Sequence, residues 1–170
     1  MCLLDEIAEL HAGSRQSPVY LKKGEGDVAI YPGRAKTTFK YTSKESEGHY
    51  GLYETEVAPG SVTPPHIHYE LNEQFYVLEG ELEMLAGDER VTATPGTFVA
   101  VPRGMVHAFA NLTEKPVTFL LAFCPDVNRE RWFKRVAELM TSGLENWKDI
   151  REGLDIEFDS YDPEPRVKFP

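Results

Sequence analysis

Three histidines and a glutamate carry most of the chemistry that this 170-residue chain could perform. There are five histidines in all. Two of them, His66 and His68, are two apart, so on an extended strand both side chains leave from the same face. Glu73 opens the run Glu73-Gln74-Phe75-Tyr76-Val77-Leu78, and His107 opens another strand-like run far off in sequence. Three neutral imidazoles and one carboxylate suit a first-row divalent metal ion. The absence of thiolate sets this group apart from structural zinc cages, and a six-coordinate ion would keep open positions for water, O2 or a chelating substrate. A single histidine in a β-protein is ordinarily a core or surface residue; the set of four points to a metal. His11 ends a predicted helix and His49 sits in the polar turn Ser46-Glu47-Gly48-His49, so both read as solvated.

These side chains must be positioned by strands. Runs rich in β-branched and aromatic residues recur at 28–31, 37–41, 50–57, 74–78, 82–85, 97–101, 106–110 and 117–123. Pro32-Gly33, Pro59-Gly60, Glu79-Gly80, Gly87-Asp88 and Pro95-Gly96 punctuate them. Many short strands at this spacing predict an all-β sandwich or barrel, and they leave no room for crossover helices. Residues 2–11 predict a short amphipathic helix through Leu3, Leu4, Ile7 and Leu10. After Pro125, with Asp126 or Asn128 as cap, Trp132, Phe133, Val136, Ala137, Leu139 and Met140 form a helical stripe that Gly143 stops; it reads as packing against the barrel. A shorter helix is expected at about 144–151, ended by Gly153. The expected organisation is one domain over 1–170, with a barrel core at about 28–124 and a helical segment at about 126–153. Residues 154–170 would be an extended arm on the surface or on a neighbouring subunit.

Composition narrows the partners. The chain is 41% hydrophobic and 27% charged, with a net charge of −10 and a pI near 5.0. It lacks the basic surface that phosphate-tracking proteins need, so neither nucleic acid nor an anionic membrane is expected as a partner. Its densest basic group, Arg129, Arg131, Lys134 and Arg135, reads as the solvated face of a helix. Cys2 and Cys124 form no CxxC pair or disulfide framework, and Cys124 reads as a small core-like residue. The start lacks a basic, apolar leader, and no apolar stretch reaches membrane-span length. A cytoplasmic homodimer is the expectation.

Two blocks resemble the paired motifs of the cupin superfamily. Gly60-x5-His66-x-His68-x4-Glu73-x6-Gly80 is followed, across residues 81–95, by Gly96-x5-Pro102-x-Gly104-x2-His107-x3-Asn111. The resemblance implies a jelly-roll β-barrel with His66, His68, Glu73 and His107 as metal ligands. It implies turn roles for Gly60, Gly80, Gly96 and Gly104, and structural roles for Pro102 and Asn111. The ion would be one divalent transition metal per chain: Ni, Fe, Mn, Co, Cu or Zn. The segment from Pro18 to Asp27, and the helices after Pro125, are similar to single-domain bacterial flavonol dioxygenases, the quercetinases. That likeness implies a small-molecule enol substrate, O2 as co-substrate, and Glu73 as both ligand and base, its pKa tuned upward by an apolar pocket. Strand alternation offers Phe75 and Val77, on the face of Glu73, and Phe109, on the face of His107, as pocket walls. An isomerase, lyase or cyclase without O2, or a non-catalytic binding cupin, remains open, because fold does not fix reaction.

Overall fold

Inward apolar side chains alternate with outward polar ones along most of the barrel strands, and that alternation builds two facing sheets. The structure, a computed structural model, describes residues 17–170. The expected helix at 2–11, His11 and Cys2 lie outside the described residues. Among those described, ten strands run β1 (Asp27–Tyr31), β2 (Ala35–Tyr41), β3 (Gly51–Val57), β4 (Val62–His66), β5 (Asn72–Glu79), β6 (Leu82–Ala86), β7 (Glu89–Ala93), β8 (Phe98–Val101), β9 (His107–Ala110) and β10 (Val117–Cys124). One sheet has the order β1-β2-β3-β10-β5-β8 and the other β4-β9-β6-β7. All ladders are antiparallel. This is a jelly-roll barrel. Gly60, Gly80, Gly96 and Gly104 all adopt positive φ, as their expected turn roles require.

Two strands had no counterpart in the sequence reading. Strand β4 contains Pro64 and Pro65, which cannot donate to a ladder; it is tolerated because it lies at a sheet edge. Strand β7, Glu89–Ala93, is also an edge, mostly polar or charged, and pairs only with β6.

The barrel core is aromatic. Phe75, Phe109 and Phe119 meet at ring distances of 5.4–5.8 Å. A second set joins Phe39, Tyr53 and Phe123 to Phe133 of helix α2 (Arg129–Thr141), which follows the four-residue α1 (Ser43–Ser46). The expected stripe is therefore seen: Phe133, Val136 and Leu139 are buried, and α2 seals one end of the barrel. Asp126 does serve its start, its Oδ1 accepting from Arg129 N at 2.9 Å, while Asn128 occupies the cap position in a left-handed conformation without a capping bond, its Oδ1 accepting instead from Ser43 Oγ at 3.1 Å. Cys124 is free and half-buried.

The C-terminal expectations need correction. Helix α3 spans Trp147–Glu157 and runs through Gly153 instead of stopping there. The following segment is a strap bound to this same barrel. Tyr161 bridges Ile67, and the buried Asp159 carboxylate accepts from the backbone N–H groups of Tyr69, Glu70 and Leu71 at 2.8–3.2 Å. Three backbone N–H donors in one loop give the tail a partner within its own chain. Arg129 also departs from expectation: it is buried, at 3% exposure, whereas Arg131 and Arg135 are exposed. No helix among the described residues is long and apolar enough to cross a membrane.

Candidate metal centre

Two sheets bring the four candidate residues to one place. His66 ends β4 and is the register partner of His107 at the start of β9. His68 lies just beyond β4, in a loop pinned by Gly104 N–H, which donates to His68 O at 2.6 Å. Glu73 comes from β5 in the opposite sheet, between Phe123 of β10 and Val101 of β8. One ligand atom from each of the four lies within 4.8 Å of all the others. Glu73 Oε2 is 2.5 Å from His107 Nε2, 3.3 Å from His68 Nε2 and 3.9 Å from His66 Nε2.

The outer ring nitrogens explain why the inner ones converge. His66 Nδ1 donates to Pro64 O at 2.9 Å and His107 Nδ1 to Met105 O at 3.1 Å, while His68 Nδ1 donates to Asp159 O. A carbonyl only accepts, so each Nδ1 carries a proton, and each Nε2 faces inward and offers a lone pair when its ring is neutral. The buried Nε2 of His68 has no hydrogen-bond partner. Four inward donor atoms, one of them a buried orphan, fit a divalent cation.

The charge balance of the bare site follows from geometry. Burial, reinforced by His107 and His68, holds His66 well below its ordinary value. Burial alone would raise Glu73, but the charge and hydrogen bond of His107, with help from His68, hold it well below the ordinary carboxylate range. Burial would lower His107; the charge of Glu73 and its hydrogen bond lift it instead. The expectation that an apolar pocket tunes Glu73 upward is therefore overturned. The adjacent imidazoles outweigh desolvation.

Residues 53–123 match the Cupin domain family. The barrel has the cupin fold. The chain is 30% identical over 106 residues to quercetin 2,3-dioxygenase of Bacillus subtilis, covering 62% of this chain and 31% of that protein. It is 39% identical over 77 residues to germin-like protein subfamily 2 member 2 of Arabidopsis thaliana, covering 42% and 35%. The chain thus spans about a third of the length of these curated relatives. Among solved structures, the polyketide cyclase RemF from Streptomyces resistomycificus superposes with a TM-score of 0.57 at 25% identity, over 65% of this chain and 81% of that one.

A cavity of about 140 Å³ opens beside this centre, with His66 and Glu73 in its wall. Of the three pocket candidates, Phe109 lines it. Phe75 and Val77 pack in the closed core instead, each 1% exposed, because the inner face of β5 passes from the site directly into the barrel. Helix α2 contributes Trp132, Phe133, Val136 and Met140 to the lining, together with Arg129. Sequence reasoning assigned that stripe to packing alone. Its clearest signal was the placement of Trp132 and Arg129 among aromatics, side chains that bring a polar handle to an apolar site. His49 is exposed and outside the site.

Proposed function

We propose that this cupin is a metal-dependent dioxygenase acting on a small enolic or phenolic substrate, with His66, His68, Glu73 and His107 holding one divalent transition metal ion. The observation that carries it is the convergence of three Nε2 atoms and the Glu73 carboxylate at the wall of a largely apolar cavity. The similarity to quercetin 2,3-dioxygenase supports O2 as co-substrate. The ion would supply Lewis acidity and redox access to O2. The protein's part is different. The carbonyl-anchored imidazoles fix the ligand geometry. Trp132, Phe133 and Phe109 exclude water and hold a ring. Glu73 Oε2 faces the three Nε2 atoms, so the second carboxylate oxygen, Oε1, is the one that would take a hydroxyl proton. A cavity near 150 Å³ accommodates a benzene-sized group, so this one admits a single ring, with any remainder of the substrate in its open mouth.

The deciding experiment is oxygen uptake with a panel of flavonols and simpler enols, after reconstitution with each of Ni, Fe, Mn, Co, Cu and Zn. Uptake with at least one pair is expected; none with any pair sinks the dioxygenase reading. Enol chemistry without O2, as an isomerase, lyase or cyclase, is the second reading, favoured by the superposition on RemF. A homodimer belongs to the same proposal. It is supported by Tyr76 and Phe98, exposed apolar register partners on the outer face of the larger sheet, and is checked by light scattering.

A further inference from the structure

The cavity is basic in a chain that is acidic. Among the described residues, its charged lining is Arg34, Arg129 and Arg151 against Glu73, although the chain carries a net charge of −10. Two of these arginines are engaged elsewhere. Arg151 is ion-paired, its Nε 3.2 Å from Asp155 Oδ2 although that Nε makes no hydrogen bond, and Arg34 Nη2 donates to Val62 O at 3.1 Å.

Arg129 is different. Its backbone N–H is fixed by Asp126 and its guanidinium carbon lies 5.1 Å from the ring centre of Phe123, 4.5 Å from Trp132 and 5.8 Å from Phe133. Nη1 donates to Phe158 O at 2.7 Å, and Nε is buried with no hydrogen-bond partner. Among the described residues no carboxylate forms an ion pair with it. Desolvation lowers its pKa, yet a guanidinium stays charged in proteins. A buried cation with no ion-pair partner is unfavourable, because its desolvation is not offset by a direct charge contact. Stacking on three rings offsets part of that cost and orients the guanidinium plane. What remains unsatisfied is the buried Nε–H of a guanidinium in the cavity wall, and the natural complement of a guanidinium is a carboxylate.

We infer that the cavity takes a substrate bearing a carboxylate, and that Arg129 is the residue that receives it. The inference deepens the proposed function and rests on it only for the identity of the reacting end: the carboxylate lies on Arg129 and the enolic or phenolic hydroxyl faces Glu73. The substrate class is then a single-ring or similarly small hydroxylated carboxylic acid. Uncharged flavonols lack that group and would be poorer ligands.

Benzoate and benzamide test this, because they share a shape and differ in charge. Binding is read from the fluorescence of Trp132, in a Trp147→Phe background, with protein as purified. Benzoate should bind at least about tenfold more tightly than benzamide, a difference of about 1.4 kcal/mol. Arg129→Met should erase that preference. Arg129→Lys, which keeps the charge and loses the fork, should weaken benzoate about tenfold and leave benzamide nearly unchanged. Equal binding of the two probes to the unsubstituted site overturns the inference without any Arg129 variant. So does the absence of benzoate binding up to about 50 mM, or a preference that survives in a folded Arg129→Met protein. If Arg129→Met does not fold, Arg129→Lys decides. Repeating the titration after chelator treatment separates the two readings. A preference that vanishes with the metal makes benzoate a metal ligand and overturns the Arg129 assignment. A preference that persists in protein showing neither metal uptake nor oxygen consumption sinks the metal reading and leaves the carboxylate site standing.

Discussion

His107 Nε2 faces Glu73 Oε2 at 2.5 Å, and a proton or a metal ion can sit on that nitrogen, but not both. His107 is raised above its ordinary 6.5, chiefly by Glu73 against the opposing effect of burial, so near neutrality the bare site keeps the proton. Metal must displace it. Affinity should therefore rise with pH through 6.5 and above, and level off only once His107 is deprotonated. His66, held well below 6.5 by burial, is already neutral there and adds no slope. Competition against a chromophoric chelator across that range measures this, and a flat profile contradicts the assignment of His107. His66→Ala and His107→Ala should each empty the site, as metal analysis of the purified variants would show. Glu73→Gln separates ligand from base: an amide oxygen can still face the metal but cannot take a proton. Metal content should fall modestly while kcat falls about 10²–10⁴-fold, whereas His68→Ala should lose both together. If Glu73 is the base, the acid limb of the rate that its protonation sets should be missing in Glu73→Gln.

The strap after α3 ties a distant element to the metal centre. Asp159 accepts from His68 Nδ1 through its backbone oxygen and from three N–H groups of the 69–71 loop through its carboxylate. Asp159→Ala leaves those donors buried or half-buried without partners and loosens the loop that carries His68. Metal affinity should drop about 10- to 100-fold, as for other groups that orient a ligand, with every metal ligand intact. Chelator competition checks it, and unchanged affinity would separate the strap from the site. None of this was readable in the tail, whose run Asp155 to Pro170 has no period; long-range partnering of a loop leaves no local trace in sequence. What was legible followed local rules. Eight strand runs, the α2 stripe and the four motif glycines rest on alternation, helical period and positive φ. The exceptions share a physical cause. Strand β4 was hidden by its prolines and β7 by its polar residues, both permitted at sheet edges. Gly153 looked like a stop because one glycine costs a helix only about 1 kcal/mol, which tertiary contact can override. Arg129 read as solvated because its neighbours Arg131 and Arg135 are.

At the scale of the whole molecule, the cluster His66, His68, Glu73 and His107 is a buried polar group set inside an aromatic barrel, and it couples the two sheets. Without an ion, the site keeps an orphaned Nε2 on His68 and a close carboxylate–imidazole pair. Unfolding disperses the ligands, since they come from three strands and a loop more than forty residues apart in sequence at the extremes. An ion that binds only the folded chain therefore stabilises it by mass action, by roughly 3–4 kcal/mol at 100 to 1,000 times Kd. For a chain of this length each kcal/mol moves Tm by about 2–4 °C, so chelator should lower Tm by roughly 6–16 °C. The fall should be reversed by adding back metal and should be absent in His66→Ala, which has no site to empty. Arg129→Lys provides the control at the other end of the cavity. It leaves the ligand set untouched, so its chelator shift should match that of the unsubstituted protein even where its benzoate affinity does not. Equal chelator shifts in the unsubstituted protein and in His66→Ala would mean that the chelator acts somewhere other than the four-residue cluster.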